Sequence, residues 1–240
     1  MPQNMLVQTG SPQTRVSLNI RNVDELFPGF ETGEFTVLQG GGAVLPLSLL
    51  LCVRAQLPIQ LGGLGTDVIF IDGGNTFRLY QVTRLAQLHQ LNPRGVLERI
   101  YISRAFTAYQ MTSLVMGKMD EAAKKTGAKL VVLSDIGGLF LDKDIPDEEA
   151  RRIFSQVTAY LSTFARKNQL ALVATYFPRK ASRRNFYLNT LTCGRASVVA
   201  SLKHGSHGRK FVLEKHPRLI LGYAEFPSEK VTLTEFMESS

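Results

Sequence analysis

The sequence predicts an α/β fold: a mostly parallel sheet flanked by helices, with an antiparallel extension at its C-terminal end. Three observations predict it. Short apolar runs alternate with longer helical patterns as far as Thr175. Leu130–Leu133 is apolar at every position, as a strand covered on both faces must be. After Thr175 the alternation gives way to two strand-like runs around His204-Gly205-Ser206-His207-Gly208.

Each element follows in order. Phe35–Gln39 is a strand ending at Gly40-Gly41-Gly42, and the apolar stretch Leu45–Leu57 is a buried helix that starts near Pro46 and closes at Pro58. Val68–Ile71 is the second strand, ending at Asp72-Gly73-Gly74-Asn75; Leu79–Leu91 is an amphipathic helix stopped by Asn92-Pro93. Ile100–Ser103 is a strand, Ala108–Thr126 a helix capped by Gly127, and Leu130–Leu133 the central strand. Pro146–Asn168 is the longest helix, with Asp147, Glu148 and Glu149 in its first turn and Arg166 and Lys167 in its last, each matching the helix dipole. Leu170–Thr175 is a strand. From there to Gly194 the sequence reads as a basic, Asn/Ser-rich loop with no further helix, followed by a hairpin of Ser197–Lys203 and Lys210–Lys215 and a last strand near Leu219–Tyr223.

A chain of 240 residues fits one domain. Residues 1–16 read as a flexible arm, 17–228 as the core and 229–240 as a polar tail. Hydrophobic residues make up 44% and charged residues 20%. The longest apolar run, around Ala43–Val53, falls short of the roughly eighteen residues a membrane-spanning helix needs. Met1–Gly10 lacks the features of a secretory signal, and two cysteines, Cys52 and Cys193, make no disulfide framework, so a cytoplasmic location is expected, nucleoid-associated in a prokaryote.

The net charge of +8 is not spread evenly. Between Pro178 and Pro217 nine cations (Arg179, Lys180, Arg183, Arg184, Arg195, Lys203, Arg209, Lys210 and Lys215) face one acid, Glu214, so this segment alone carries the whole excess. An anionic partner is expected there. Arg179-Lys180-Ala181-Ser182-Arg183-Arg184-Asn185-Phe186-Tyr187 interleaves cations with aromatics, the mixture that holds single-stranded nucleic acid by its phosphates and its bases. Against that stands a solvated loop whose Phe186 and Tyr187 pack on the core. His204 and His207 have no cysteine or carboxylate at ligand spacing, so no metal is expected.

Gly40-Gly41-Gly42 between a strand and a helix is the setting of a phosphate-binding loop. That loop requires GxxxxGK[ST], yet Leu45 stands at the second glycine, Pro46 at the lysine and Leu47 at the hydroxyl. Pro46 offers neither an ammonium nor a backbone N–H, and Leu47 cannot ligate Mg²⁺. A tight strand-to-helix turn is the expected role. Asp135 stands where a strand-end, Mg²⁺-orienting aspartate would, and Asp72 ends the Val68–Ile71 strand; either also suits a structural cap.

From roughly Ser17 to Phe226 the chain resembles the RecA/RadA superfamily of strand-exchange ATPases. Residues Leu26 to Thr36 look like the family's lead into its first strand, and Val68 to Arg78 is similar to its strand followed by an Asp-Thr-Glu-Gly-Thr-Phe-Arg turn. Val96 to Ile100, Arg104-Ala105-Phe106 and Tyr109-Gln110-Met111 continue the likeness. Leu130–Asp135 sits at the family's metal-binding strand, Ala196–Pro217 at its closing hairpin, and Phe177–Leu191 at its second DNA-binding loop.

The resemblance implies a RecA-like fold and DNA as partner, and its departures imply the biochemistry. Gly74 stands where the family carries the glutamate that activates water, and Tyr176 or Phe177 where it carries a phosphate-sensing glutamine. With Gly40, Pro46, Leu47, Gly74 and Asp135 as a vestigial nucleotide site, phosphoryl transfer lacks its clamp, metal ligand and water activator together. Neither a cofactor nor catalysis is expected. The sequence lacks room for the family's usual N-terminal domain and shows no clear polymerisation segment ahead of the core, a departure that bears on filament formation. The expected function is a non-catalytic accessory protein of recombination or repair that binds mainly single-stranded DNA through Arg179, Lys180, Arg183, Arg184, Phe186, Arg195, Lys203, Arg209 and Lys210, with a recombinase or paralogue as partner. An ATPase with an unusual loop and a scaffold that regulates a recombinase without DNA contact are the alternatives.

Overall fold

The computed structural model describes residues 14–177, 179, 182–205 and 208–226. β1 (Arg15–Val16) and β2 (Phe30–Glu31) flank α1 (Arg21–Leu26), and β3 (Phe35–Gly40) runs into α2 (Val44–Arg54). β4 (Val68–Asp72) is followed by α3 (Leu79–Leu88) and α4 (Pro93–Glu98). After β5 (Ile100–Arg104) come α5 (Ala108–Ser113), a π-helical turn (Leu114–Lys118) and α6 (Met119–Thr126). β6 (Leu130–Ser134) leads to α7 (Asp147–Asn168), β7 (Ala171–Tyr176) to α8 (Arg183–Arg195), and β8 (Val198–Gly205), β9 (Gly208–Lys215) and β10 (Gly222–Phe226) follow.

Eight strands form one sheet in the order β10-β9-β8-β3-β7-β6-β4-β5. The strands from β8 to β5 are parallel, while β9 and β10 add antiparallel, which is the architecture the sequence predicts. Alternation along each inner strand sends side chains to opposite faces. Val68, Phe70, Leu130, Val132, Ala171 and Val173 join the core under α1 to α4. Ile69, Ile71, Val131, Leu133, Leu172 and Ala174 join the core under α5 to α8. The result is three layers with the sheet in the middle.

The departures have local causes. Arg15 and Val16, read as part of an arm, pair with Glu31 and Phe30, and Val16 is fully buried. The remainder of the expected arm, residues 1–13, and the expected tail lie outside the described residues. Asn92-Pro93 does not merely stop a helix: the Asn92 carboxamide oxygen accepts from the backbone N–H groups of Arg94 (2.9 Å) and Gly95 (3.3 Å), capping α4 with Pro93 in its first turn. The expected helix Ala108–Thr126 is interrupted by the π turn. The last strand is displaced to Gly222–Phe226.

The largest departure is α8. The stretch expected to be loop as far as Gly194 is helical from Arg183, because Ser182 caps it, its hydroxyl accepting from Asn185 N–H at 3.0 Å. Leu188 and Thr192, one turn apart, are fully buried beneath it.

Candidate functional site

Helix α2 leaves β3 toward one face of the sheet and α8 leaves β7 toward the other, so the crevice beyond the C-terminal ends of these neighbouring strands is a topological switch point, where open α/β sheets bind ligands. Its walls are the Gly40–Ala43 turn, the 73–78 loop, the 135–146 segment and the chain leaving β7.

The glycine turn is short. Helix α2 begins at Val44, two residues earlier than the expected Pro46, and Val44 is fully buried. Its Cγ2 would lie 2.7 Å from a Cβ on Gly40, whose φ is +149°. The glycine therefore serves close packing of the turn on the helix. Leu47, at the hydroxyl position of a phosphate loop, is 1% exposed inside the apolar core.

Gly74 is equally constrained. A Cβ there would lie 2.9 Å from the Asp135 Cβ and 2.9 Å from Thr76 Cγ2. Asp135 fills that space. It adopts a left-handed conformation (φ +54°), held by a hydrogen bond from its N–H to the Thr175 hydroxyl at 2.9 Å. Its carboxylate, 3% exposed, is ion-paired with Arg179. Burial raises the carboxyl above the ordinary aspartate range, and the Arg179 guanidinium opposes that rise. A Cβ on Gly138 would lie 2.3 Å from Asp135 Oδ2 and 2.6 Å from the Arg179 guanidinium, so Gly138 also makes room for the pair.

Asp72 has a different task. Fully buried, it accepts from the Thr76 N–H (2.8 Å), the Thr76 hydroxyl (3.0 Å) and the Phe77 N–H (3.1 Å), with Arg104 at 3.4 Å. The strand-end aspartate therefore organises the loop into α3, and Thr76 passes its second contact to Ser134 at 2.6 Å. No cluster of three or more His, Cys, Asp or Glu able to hold a metal is found among the described residues.

The basic residues do not form one patch. Lys180 and His207 lie outside the described residues. Arg183 is exposed at the start of α8 and makes no ion pair among the described residues. Arg184 is not a loop cation: its side chain is 14% exposed, ion-paired with Asp147, and it donates to the carbonyls of Asp142 (2.6 Å) and Ile145 (2.8 Å). It fastens the start of α8 to that of α7. Arg195 stands at the far end of α8, about 18 Å along the axis from Arg183. There it donates to the Ser155 hydroxyl at 3.3 Å.

Antiparallel pairing brings the tip of the β8–β9 hairpin to the crevice edge, with Leu202 opposite Gly40. Arg209 sits there opposite His204. Lys203 is ion-paired with Glu214 at 2.6 Å, and Lys210 lies 3.8 Å from Glu225 and 4.1 Å over the Tyr223 ring. Cross-strand acids thus balance part of the expected charge, a pairing that a linear count cannot register. Phe186 is 75% exposed and does not pack on the core, whereas Tyr187 does.

The far edge of the sheet carries a surface that sequence reasoning missed. The edge strand β5 exposes Tyr101 and Ile102, and the following turn and helix expose Phe106 and Tyr109. Such an apolar edge, with no strand paired beyond β5 among the described residues, suits addition of a partner strand. These four apolar residues are visible in the sequence, but only the strand order makes β5 an edge.

Comparison with protein families agrees with this geometry: the family described as Rad51 matches residues 11–176.

Proposed function

The chain belongs to the Rad51 family, and from that premise we propose that this RecA-like protein of recombination or repair is a non-catalytic accessory factor that binds single-stranded DNA. The observation that carries the reading is the crevice: Val44 and Leu47 fill the positions at which a phosphate loop keeps open backbone and a hydroxyl, and Asp135 occupies the space a side chain at residue 74 would need. A triphosphate there would meet apolar groups and a carboxylate already neutralised by Arg179, without a lysine on the loop. The cations between Pro178 and Pro217 that neither tie α8 to α7, as Arg184 does, nor lie at its far end, as Arg195 does, supply the attraction for DNA. Arg183, Lys180 and Phe186 are its main carriers, Arg179, Lys203, Arg209 and Lys210 border them, and Arg184 shapes the site from beneath. The exposed β5 edge is the surface for a recombinase or paralogue partner.

Three measurements test this. Calorimetry with ATP and Mg²⁺ should give no binding and a phosphate-release assay no hydrolysis; a micromolar dissociation constant contradicts the vestigial-site reading, and phosphate release that tracks with the protein contradicts the non-catalytic one. Anisotropy with labelled single-stranded and duplex DNA should show tighter binding to the single strand, and binding to neither leaves only the scaffold role.

A further inference from the structure

The hairpin of β8 and β9 is partly neutralised by the chain's own carboxylates. Lys203 is ion-paired with Glu214 at 2.6 Å, and Lys210 lies 3.8 Å from Glu225 on β10. β10 is antiparallel to β9 and so runs in the direction of β8, toward the crevice. Its last residue, Phe226, stands opposite Arg209, which stands opposite His204 near the hairpin tip. The chain after Phe226 therefore starts beside these cations, at the end of the sheet where the basic segment lies. Residues 227–240, outside the described residues, bring three acids, Glu229, Glu235 and Glu238, against one cation, Lys230.

Chain length permits the contact. From Phe226, an extended chain reaches about 10 Å by Glu229 and about 40 Å by Glu238, whereas the four strand spacings from β10 to β7 amount to about 19 Å. Glu229 can therefore meet the hairpin cations, and Glu235 and Glu238 can extend to the start of α8. A segment tethered in this way is present at roughly millimolar effective concentration, enough for weak surface ion pairs to form. We infer that residues 227–240 act as an autoinhibitory anion, their glutamates pairing with Lys203, Arg209 and Lys210 until the phosphates of a nucleic acid displace them. The inference rests on the single-strand-binding reading and adds to it a competitor carried by the chain itself. Glu214 and Glu225 show the principle within the sheet, where acids of this chain already hold two of the same cations.

The test uses the full chain and a labelled thymidine oligonucleotide. The triple variant Glu229→Gln, Glu235→Gln, Glu238→Gln should bind the strand about 3- to 30-fold more tightly than the wild type at low salt, the combined effect of three exposed ion pairs lost. The gain should vanish at about 0.5 M salt, where surface charges are screened within a few ångströms. A second triple variant, Glu98→Gln, Asp120→Asn, Glu121→Gln, removes the same charge from α4 and α6 and should stay within about 2-fold of the wild type. Wild-type affinity in the first variant, or an equal gain in the second, overturns the contact while the strand-binding reading stands. If none of the three proteins binds the strand, both fall. Carbodiimide, which joins a carboxylate to an ammonium in contact with it, reads the contact without DNA. In the free wild-type chain it should link Glu229 to Lys203 or Lys210, and the oligonucleotide should suppress the link. Absence of that link in the free chain overturns the inference.

Discussion

Asp135 and Arg179 form an ion pair that joins the end of β6 to the chain leaving β7, with Gly74 and Gly138 leaving just the space the pair needs. The carboxylate that the resemblance placed at a metal-binding position is thereby occupied by a cation of the same chain. The pair ties the end of β6 to Arg179 across the walls of the switch-point crevice.

The closeness of Gly74 to Asp135 sets the first expectation. Gly74→Ala should cost about 1–3 kcal/mol in chemical denaturation, because its Cβ would stand 2.9 Å from a carbon fixed to the Asp135 backbone. Gly74→Glu should be at least as destabilised and should gain no ATP hydrolysis. Unchanged stability in the alanine variant contradicts the packing described.

Two adjacent arginines should separate cleanly. Arg184→Ala leaves the part-buried Ile145 carbonyl without its donor and unties α8 from Asp147, and should cost about 1–2 kcal/mol, lowering the melting temperature by roughly 2–8 °C. Arg183→Ala should melt as the wild type does and weaken DNA binding. Calorimetric melting of the two variants checks the contrast, and equal melting temperatures contradict it.

Most of the fold was legible because buried parallel strands are apolar at consecutive positions, as Leu130–Leu133 is, and because Gly127 and Pro146 mark helix boundaries. Helix α8 was not legible: its first turn is Arg183-Arg184-Asn185, polar and charged, and the Ser182 cap and the buried pair Leu188 and Thr192 are a weak signal among basic residues. The cationic segment was visible as composition, but its division was not. Asp147 lies 37 positions from Arg184, and Glu225 lies 15 positions from Lys210. Only folding brings such partners together.

Burial pushes the Asp24 carboxyl up from 3.8 to about 6, against the attraction of Arg54 and backbone N–H donors. The fold therefore favours its neutral form, a contribution fully present below about pH 3.8 and lost as pH rises through about 6. Asp24→Asn should gain relative to the wild type as pH rises from 4 to 7, by on the order of 1–2 kcal/mol after solvent screening. Melting curves at pH 4, 5.5 and 7 check this. A stability difference independent of pH contradicts it.

At the opposite edge of the sheet, Ile102→Lys should abolish capture of a Rad51-family recombinase protomer while shifting stability by no more than about 0.5 kcal/mol, since Ile102 is 44% exposed on an unpaired edge. Capture assays with folded variant protein check it, and retained capture contradicts the partner surface.

The most direct measurement of the central claim is the salt dependence of single-strand binding by the wild type and by the double variant Lys180→Ala, Arg183→Ala. Removing one cation that neutralises a phosphate lowers the slope of log affinity against log salt by about 0.7, so the account predicts weaker binding and a slope shallower by roughly 1.4. An affinity and slope identical to those of the wild type would contradict it.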